Sequence, residues 1–521
     1  MQRRDFIKLT SVTAGLVAAG QSWPVLAQGV AKDVLNVAIN PEPPGLMIAI
    51  IQNGPTQLVS GNIYEGLLRY DEALKPMPGL ASAWKVSDDA LTYTFTLKPG
   101  VTWHDGKPFS SADVVFSVDK LLREVHARLR ASLGAVDSIT APDDDTVVFK
   151  LKYPFGPFLG LFEVGTMPIA PKHIYDGTDY RTNPANNTPI GTGPYKFTEW
   201  KRGEYIRLDK NEAFHEPGLP TIKTIYFQVI PDAASRAAGY ETGKMDVMPG
   251  GSVEYFDIAR LKALPKTEVT TKGWEFFGPL SMLCINNRNA PLNDPRMRRA
   301  IMYAMDRQAI KNVAWSGFGK VATGPFHSST RFHTDAVTPY PHDKAKAKAL
   351  LTEVGYAGQT IRLLPLPYGE TWQRVAEITR QNLGEVGIKV DMQATDVPGW
   401  NEKLNNWDYD LAFNYLYQYG DPALGVARNY TTANIAKGSP FNNVSGYSNP
   451  KIDELFDSGA REPDEKRRAA IYAEAQKILV DDVAVAWLME LEFPTIYRSN
   501  VTNLVNSGIG LNDGFARAKI T

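Results

Sequence analysis

Tyr93, Phe95 and Leu97 alternate with Thr92, Thr94, Thr96 and Lys98. That period of two predicts a half-buried β-strand over Thr92–Lys98. Pro99-Gly100 ends it, and Asp105-Gly106 signals a tight turn before Lys107-Pro108-Phe109. The period then changes. Val114, Val115, Val118, Leu121 and Leu122 share one face of a helix that Ser110 or Ser111 can cap. The result is a strand–turn–helix unit with a Trp103-His104-Asp105 corner. Alternation also predicts strands at Val34–Ile39, Thr146–Leu151, Ile388–Met392 and Tyr409–Phe413, and Gly191–Pro194 leads into a two-strand ribbon. Residues 46–68 read as helix-rich. Asn293-Asp294-Pro295 starts a helix along which Met297, Ile301, Met305 and Ile310 keep helical spacing. Further helices are expected over Asp343–Val354, stopped by Gly355, over Thr371–Leu383 and over residues 464–480. Helices and strands alternating in this way imply βαβ units and a mixed α/β fold.

The order LASAW, TYTFTLKPGVTWHDGKPF, ADVVFS resembles the signature of the family 5 extracellular solute-binding proteins, the dipeptide, oligopeptide and nickel receptors of ABC importers. NIYEGLLRYD, GTGPYKFTEW and NDPRMRRAIMYAMDRQAI extend the resemblance along the chain. It implies a two-lobed periplasmic-binding-protein-like fold of the large type, closing about a hinge, with an extra subdomain in lobe I. The expected division is lobe I from 28–70, 190–278 and 491–521, the extra subdomain from 71–189, and lobe II from 279–490. Such a protein catches a small polar solute, peptide-like, opine-like or sugar-derived, and passes it to a membrane permease.

The first 27 residues are read apart from the fold. Arg3-Arg4-Asp5-Phe6-Ile7-Lys8 is a twin-arginine pattern, an apolar run follows from Leu9 to Gly20, and Val25-Leu26-Ala27 sets small residues at a cleavage site. Tat export to the periplasm is expected, with cleavage after Ala27. No later run of 18 apolar residues marks a membrane span.

Composition narrows the function classes. The chain has 521 residues and a formal net charge of −1, which gives no support for nucleic acid or an anionic membrane as partner. Cys284 is the one cysteine, so no internal disulfide can form, and its apolar surroundings predict a buried small hydrophobe. The Gly-x-Gly at 191–193 has no third glycine, and Gly239–Lys244 misses a phosphate loop by its spacing. Asp143–Asp145 lacks the spacing of a calcium loop. No nucleophile elbow, zinc helix or paired-cysteine motif occurs, so neither an enzyme nor a cofactor is expected; a periplasmic hydrolase and a chaperone-like protein are the rival classes. His327, His333 and His342 admit a nickel-chelate reading, but the proline-rich segment around them favours solvated loop histidines and no metal site. A monomer is expected.

The candidate binding stretch is Phe413 to Pro422. A strand delivers its carboxyl end into a loop where Tyr415, Tyr417 and Tyr419 would face one side, and ligands of open α/β sheets sit beyond such ends. Asp421 begins an Asp-Pro turn. The resemblance adds a specific expectation. In peptide-binding members an Asp three positions before the Asp of Asp-Pro pairs with the ligand's α-ammonium, and that position here is Gln418. A neutral amide gives no countercharge, which points away from free-amine peptides. Trp274 and Phe276 near a crossing between lobes, Trp400 after a turn, and Gln52 and Asn53 in a loop complete the candidates.

Overall fold

The computed structural model describes residues 33–521; the export segment lies outside the described residues. Two large sheets organise the chain. The first has seven strands in the order Thr267–Thr270, Thr495–Arg498, Val247–Met248, Val34–Ile39, Thr224–Val229, Tyr205–Lys210, Tyr195–Lys201. Val34–Ile39 lies in its middle, parallel to Thr224–Val229 and to Val247–Met248. The second has six strands in the order Lys320–Val321, Ala486–Glu490, Leu280–Ile285, Leu411–Leu416, Ile361–Leu364, Val390–Met392. All six residues of Leu280–Ile285 are buried, as an apolar run central to a covered sheet requires. Its parallel pairs, Ile361–Leu364 with Val390–Met392 and with Leu411–Leu416, are the βαβ units expected from the sequence. A third, antiparallel sheet joins Ala81–Val86, Thr92–Leu97, Thr146–Leu151 and Val136–Asp143. One core joins the second sheet to one face of the first through Ala38, Met248 and Ile496, and the other joins the opposite face of the first, through Leu35, Val37 and Ile39, to the four-stranded sheet. Among the described residues no helix is long and apolar enough to cross a membrane.

Local chemistry explains most boundaries. Asp343 caps the helix Lys344–Val354 by accepting from the Lys346 N–H at 2.9 Å, and Gly355 ends it in the left-handed region at φ 69°. Three expectations are corrected. Residues 46–68 contain one helix, Gly54–Ser60. The helix from Pro295 stops at Ala304, because Met305 is extended and Asp306 starts a new one, Arg307–Ala314, accepting from the Ala309 N–H at 2.9 Å. The strand predicted at Tyr409–Phe413 runs instead over Leu411–Leu416, because the Asp410 carboxylate accepts from the Arg362 N–H at 2.9 Å and the Tyr409 hydroxyl donates to the Val444 carbonyl at 2.9 Å. Tyr415 therefore stands on the strand and not in the loop after it.

Candidate ligand-binding site

Between the two large sheets the chain crosses at residues 271–279 and 491–494. The crossings are tied together: the Leu491 N–H donates to the Pro279 carbonyl at 2.8 Å. The lobes also meet away from the crossings, where the Gly156 N–H donates to the Ala460 carbonyl at 2.9 Å and the Thr371 hydroxyl to Glu254 at 3.1 Å.

Tyr415, Tyr417 and Tyr419 form a ladder beside the crossings, with ring centroids 5.9 and 6.3 Å apart along it. Tyr415 stacks on Trp372 at 5.8 Å and 15°. Tyr417 lies 6.3 Å from Trp274 and 5.3 Å from Phe277, and Tyr419 lies 6.0 Å from Phe276. Phe493, from the second crossing, closes the group at 4.8 Å from Trp274 and 5.9 Å from Tyr415. Burial pushes the Tyr415 hydroxyl up to about 12 and raises the Tyr417 hydroxyl well above its usual value, so both stay uncharged even in alkaline solution. Tyr419 holds φ 52° and Gly420 φ 70°. Left-handed backbone on a tyrosine costs of order 1 kcal/mol and is retained where the surroundings enforce it, often at functional sites. A Cβ on Gly425 would meet the Gln418 backbone at 2.4 Å, so glycine lets the turn Pro422–Val426 lie directly against the strand end.

Two arginines converge on this ladder from opposite lobes. The Arg128 guanidinium carbon lies 3.9 Å from the Tyr419 ring centroid and the Arg428 carbon 5.6 Å from it. Arg128 belongs to the helix Ala127–Ser132, capped by the His126 ring, whose Nδ1 accepts from the Leu129 N–H at 3.0 Å. Arg128 donates to the Thr166 hydroxyl at 2.8 Å; Arg428 donates to the carbonyls of Gly425 and Tyr417, each at 3.2 Å. Burial lowers the Arg428 pKa, and the nearby charge of Arg128 lowers it further.

Several predicted residues have other work. Gln418 is buried, at 2% exposure. Its Oε1 accepts from the His327 N–H at 2.9 Å and the Thr330 hydroxyl at 2.7 Å, while Nε2 donates to the Pro325 carbonyl at 2.9 Å. The amide staples the 325–330 loop to the strand end and is buried there, which corrects its reading as a directional solute contact. The Ser329 hydroxyl in turn donates to the Glu275 carbonyl at 2.7 Å, carrying that staple to the first crossing. Asp421 is buried in a two-pronged pair with Arg468 at 2.7 and 2.8 Å, and accepts from the Ala423 N–H at 3.0 Å. It is a structural carboxylate and not a solute contact. Trp400 is 1% exposed and packs 6.5 Å from Tyr368 in the lobe II core, its indole N–H without a protein acceptor. Asn53 caps the helix Gly54–Ser60 by accepting from the Thr56 N–H at 2.9 Å, and the Gln52 amide reaches only the Ala49 carbonyl at 3.5 Å. Neither touches the ladder among the described contacts. Trp274 and Phe276 do join it.

The histidines at 327–342 are not the solvated loop groups expected. The His327 side chain is 14% exposed and burial lowers its pKa to about 4, so it is neutral near pH 7. Burial likewise pushes the Cys284 thiol up to about 12, an inert core group. Among the described residues no cluster of three or more His, Cys, Asp or Glu side chains is placed to hold a metal. Residue-by-residue reading missed Arg128, Arg428, Trp372 and Phe493. The arginines lie in ordinary short helical stretches 300 positions apart, and only folding brings them to one ring.

Comparison with known proteins agrees with this architecture. The family described as bacterial extracellular solute-binding proteins, family 5, matches residues 75–437. The chain is 30% identical over 93% of its length, and 93% of the relative's, to the probable D,D-dipeptide-binding periplasmic protein DdpA of Escherichia coli. The solved structure of the periplasmic binding protein DppA of Helicobacter pylori with the peptide STSA superposes with a TM-score of 0.82 at 25% identity, covering 94% of this chain and 98% of that one. The binding protein AgaA of A. tumefaciens with agropinic acid superposes with a TM-score of 0.79 at 26% identity, covering 94% and 99%. Two lobes, a ring-lined seam between them and a match across most of the chain lead to one conclusion: the chain belongs to the bacterial extracellular solute-binding proteins of family 5.

Proposed function

We propose that the protein is the periplasmic receptor of an ABC importer, holding a small solute against the Tyr415–Tyr417–Tyr419 ladder and releasing it unchanged to a membrane permease. The observation that carries this reading is the ladder's position. It stands on lobe II, beside both crossings, with Arg128 of the opposite lobe over its last ring. Solute in that seam touches both lobes at once, so binding favours the closed arrangement by the difference in affinity for the two states. The crossings 271–279 and 491–494 act as the hinge. Membership of a family of solute-binding proteins supports a solute that leaves with its bonds unchanged.

A peptide-like or opine-like solute fits best. The relatives named for a D,D-dipeptide, for a peptide and for agropinic acid support that class. Export through the twin-arginine pattern with cleavage after Ala27 completes the reading, and amino-terminal sequencing of the secreted protein tests it. The function itself is tested by calorimetry of purified protein against peptides, opines, sugar acids and Ni²⁺ chelates, followed by recovery of the solute. Stoichiometric binding with the solute returned intact is expected. A product accumulating beyond the amount of protein would replace the receptor with an enzyme.

A further inference from the structure

The last loop of the chain is built like a core segment. Strands Val501–Thr502 and Lys519–Ile520 pair antiparallel, so residues 503–518 leave and return at one point, the form of an Ω-loop. Connecting segments ordinarily run over the surface. In this one Ser507, Ile509, Phe515 and Ala518 are buried. The loop also bonds to itself: the N–H groups of Gly510, Asn512 and Gly514 donate to the carbonyls of Ser507, Ile509 and Leu511.

Arg69, in strand Leu68–Tyr70, clasps the two limbs together. Its Nε donates to both Asp513 oxygens at 3.1 and 3.2 Å, and its Nη2 donates to the Asn506 side-chain oxygen at 3.2 Å. Asn506 stands on the limb that leaves the strand pair and Asp513 on the limb that returns. The Phe515 N–H donates to the Asn62 side chain at 2.8 Å, and Arg517 pairs with Glu216 at 2.5 Å. The tip of the loop does different work. The Gly508 N–H donates to the Asp71 carbonyl at 3.1 Å, and the Gly508 carbonyl accepts from the Phe276 N–H of the first crossing at 2.9 Å. Gly510 at φ 58° and Gly273 at φ 92° lie so close that a Cβ on either would meet the other's backbone at 2.5 Å. Ile509 packs with Phe276 and Phe277 in one cluster, against which Trp274, Tyr417 and Tyr419 lie. On its other side the crossing is tied to the end of strand Leu411–Leu416, where the Phe277 carbonyl accepts from the Gln418 N–H.

We propose that loop 503–518 is a splint for the first crossing, and that Arg69 and Asp513 are positioning residues. By clasping the limbs they fix the place of the tip, and through Gly508 and Phe276 they fix the aromatic ladder, which neither of them touches among the described contacts. The splint stands on its own contacts; its value to solute binding rests on the receptor reading. The clasp is placed where it can open without unfolding the lobe. A cavity of about 30 Å³ lies beside it, lined by Arg69, Asp513, Glu65 and Glu216, which is room for water to solvate either partner left alone. Losing the clasp then frees a loop, a local opening, and does not strand a dry charge in a core.

Native-state hydrogen exchange of the full chain, read by mass spectrometry in low urea, tests this on the wild type first. The amides of residues 507–510 and those of Phe276 and Gln418 are expected to open as one unit, before the lobe II strand Leu280–Ile285 does. Asp513→Asn and Arg69→Gln are each expected to speed exchange at Phe276 and across 503–518 about 10- to 100-fold, the span of one charge-assisted hydrogen bond, with Leu280–Ile285 and Tyr205–Lys210 unchanged. Asp513→Glu keeps the charge and is expected to restore most of the protection. Gly510→Ala lifts the tip without touching the clasp, and is expected to speed Phe276 and Gln418 by a similar factor. Faster exchange in 503–518 with Phe276 and Gln418 at wild-type rates overturns the splint and reduces the ion pair to a local fastening. A uniform rise across both lobes overturns it as well, since the pair would then stabilise the whole molecule and position nothing. Where a variant fails to fold, the wild-type measurement decides: Phe276 opening independently of 507–510 sinks the proposal. None of these readouts needs a solute, so the receptor reading stands or falls by its own screen.

Discussion

Gln418→Glu separates a structural staple from a solute contact. The substitution keeps shape and volume. It keeps an oxygen to accept from the His327 N–H and the Thr330 hydroxyl, but replaces the amide that donates to the Pro325 carbonyl at 2.9 Å. Two terms follow: loss of one hydrogen bond, about 1 kcal/mol, and a buried carbonyl left without a donor, about 1–3 kcal/mol. Stronger acceptance by the carboxylate offsets part of this, leaving a loss of about 2 kcal/mol near pH 7.5. The sign with pH is fixed. A protonated carboxyl can donate to the Pro325 carbonyl again, so the native state holds the proton more tightly than the unfolded chain, whose glutamate titrates near about 4.3. The introduced group's folded pKa is raised. The variant is therefore close to wild type at and below the unfolded value, and loses stability relative to wild type as pH rises through the window above it. Urea unfolding followed by tryptophan fluorescence, with wild type and variant measured in parallel at pH 5 and pH 8, reads this directly. A deficit below about 1 kcal/mol at pH 8, or one that does not change between the two pH values, refutes the staple. Unaltered stability with altered solute affinity would return Gln418 to the binding surface.

Tyr417→Ala removes the ring that joins Tyr415, Tyr419, Trp274 and Phe277, and is expected to weaken solute binding about 10-fold or more in calorimetry with little change in circular dichroism; unchanged affinity would move the site elsewhere. Asp421→Asn leaves Arg468 buried without its countercharge and should cost about 3–5 kcal/mol in urea unfolding, much of it restored by adding Arg468→Met; independent, additive losses would contradict the pairing. His126 is buried and burial lowers its pKa to about 3, so the unfolded chain binds its proton first. Its contribution is intact above about pH 6.5 and is lost as pH falls toward 3, on the order of 2–3 kcal/mol at pH 4.5. His126→Asn, which preserves a cap, should flatten that acid limb, and an unchanged limb would assign it to other groups.

The regular elements were legible because their signals are local. Alternation predicted Thr92–Lys98, observed as Thr92–Leu97, and Thr146–Leu151, and the helix expected over Asp343–Val354 runs over Lys344–Val354 between Asp343 and Gly355. The tyrosine ladder was legible for the same reason, since its alternate spacing is local, although only Tyr415 stands on the strand and Tyr417 and Tyr419 follow it. Gln418 was misread because every partner of its side chain lies near residue 327, some 91 positions away for the His327 N–H. Asp421 was misread likewise, its partner Arg468 being 47 positions on. Arg128 and Arg428 stand among 56 lysines and arginines with nothing local to mark them. What distinguishes them is the one ring they share, Tyr419, and that is a property of the folded chain alone.

The seven-stranded sheet has a consequence for synthesis. Strand Thr495–Arg498 lies between Thr267–Thr270 and Val247–Met248, and Thr267–Thr270 pairs with no other strand. A growing polypeptide therefore leaves one flank of its earliest sheet unzipped until almost the final residue has emerged, a long-range closure of the slow, late kind. Truncation by as few as about 27 residues would strand that flank, a ready template for aggregation.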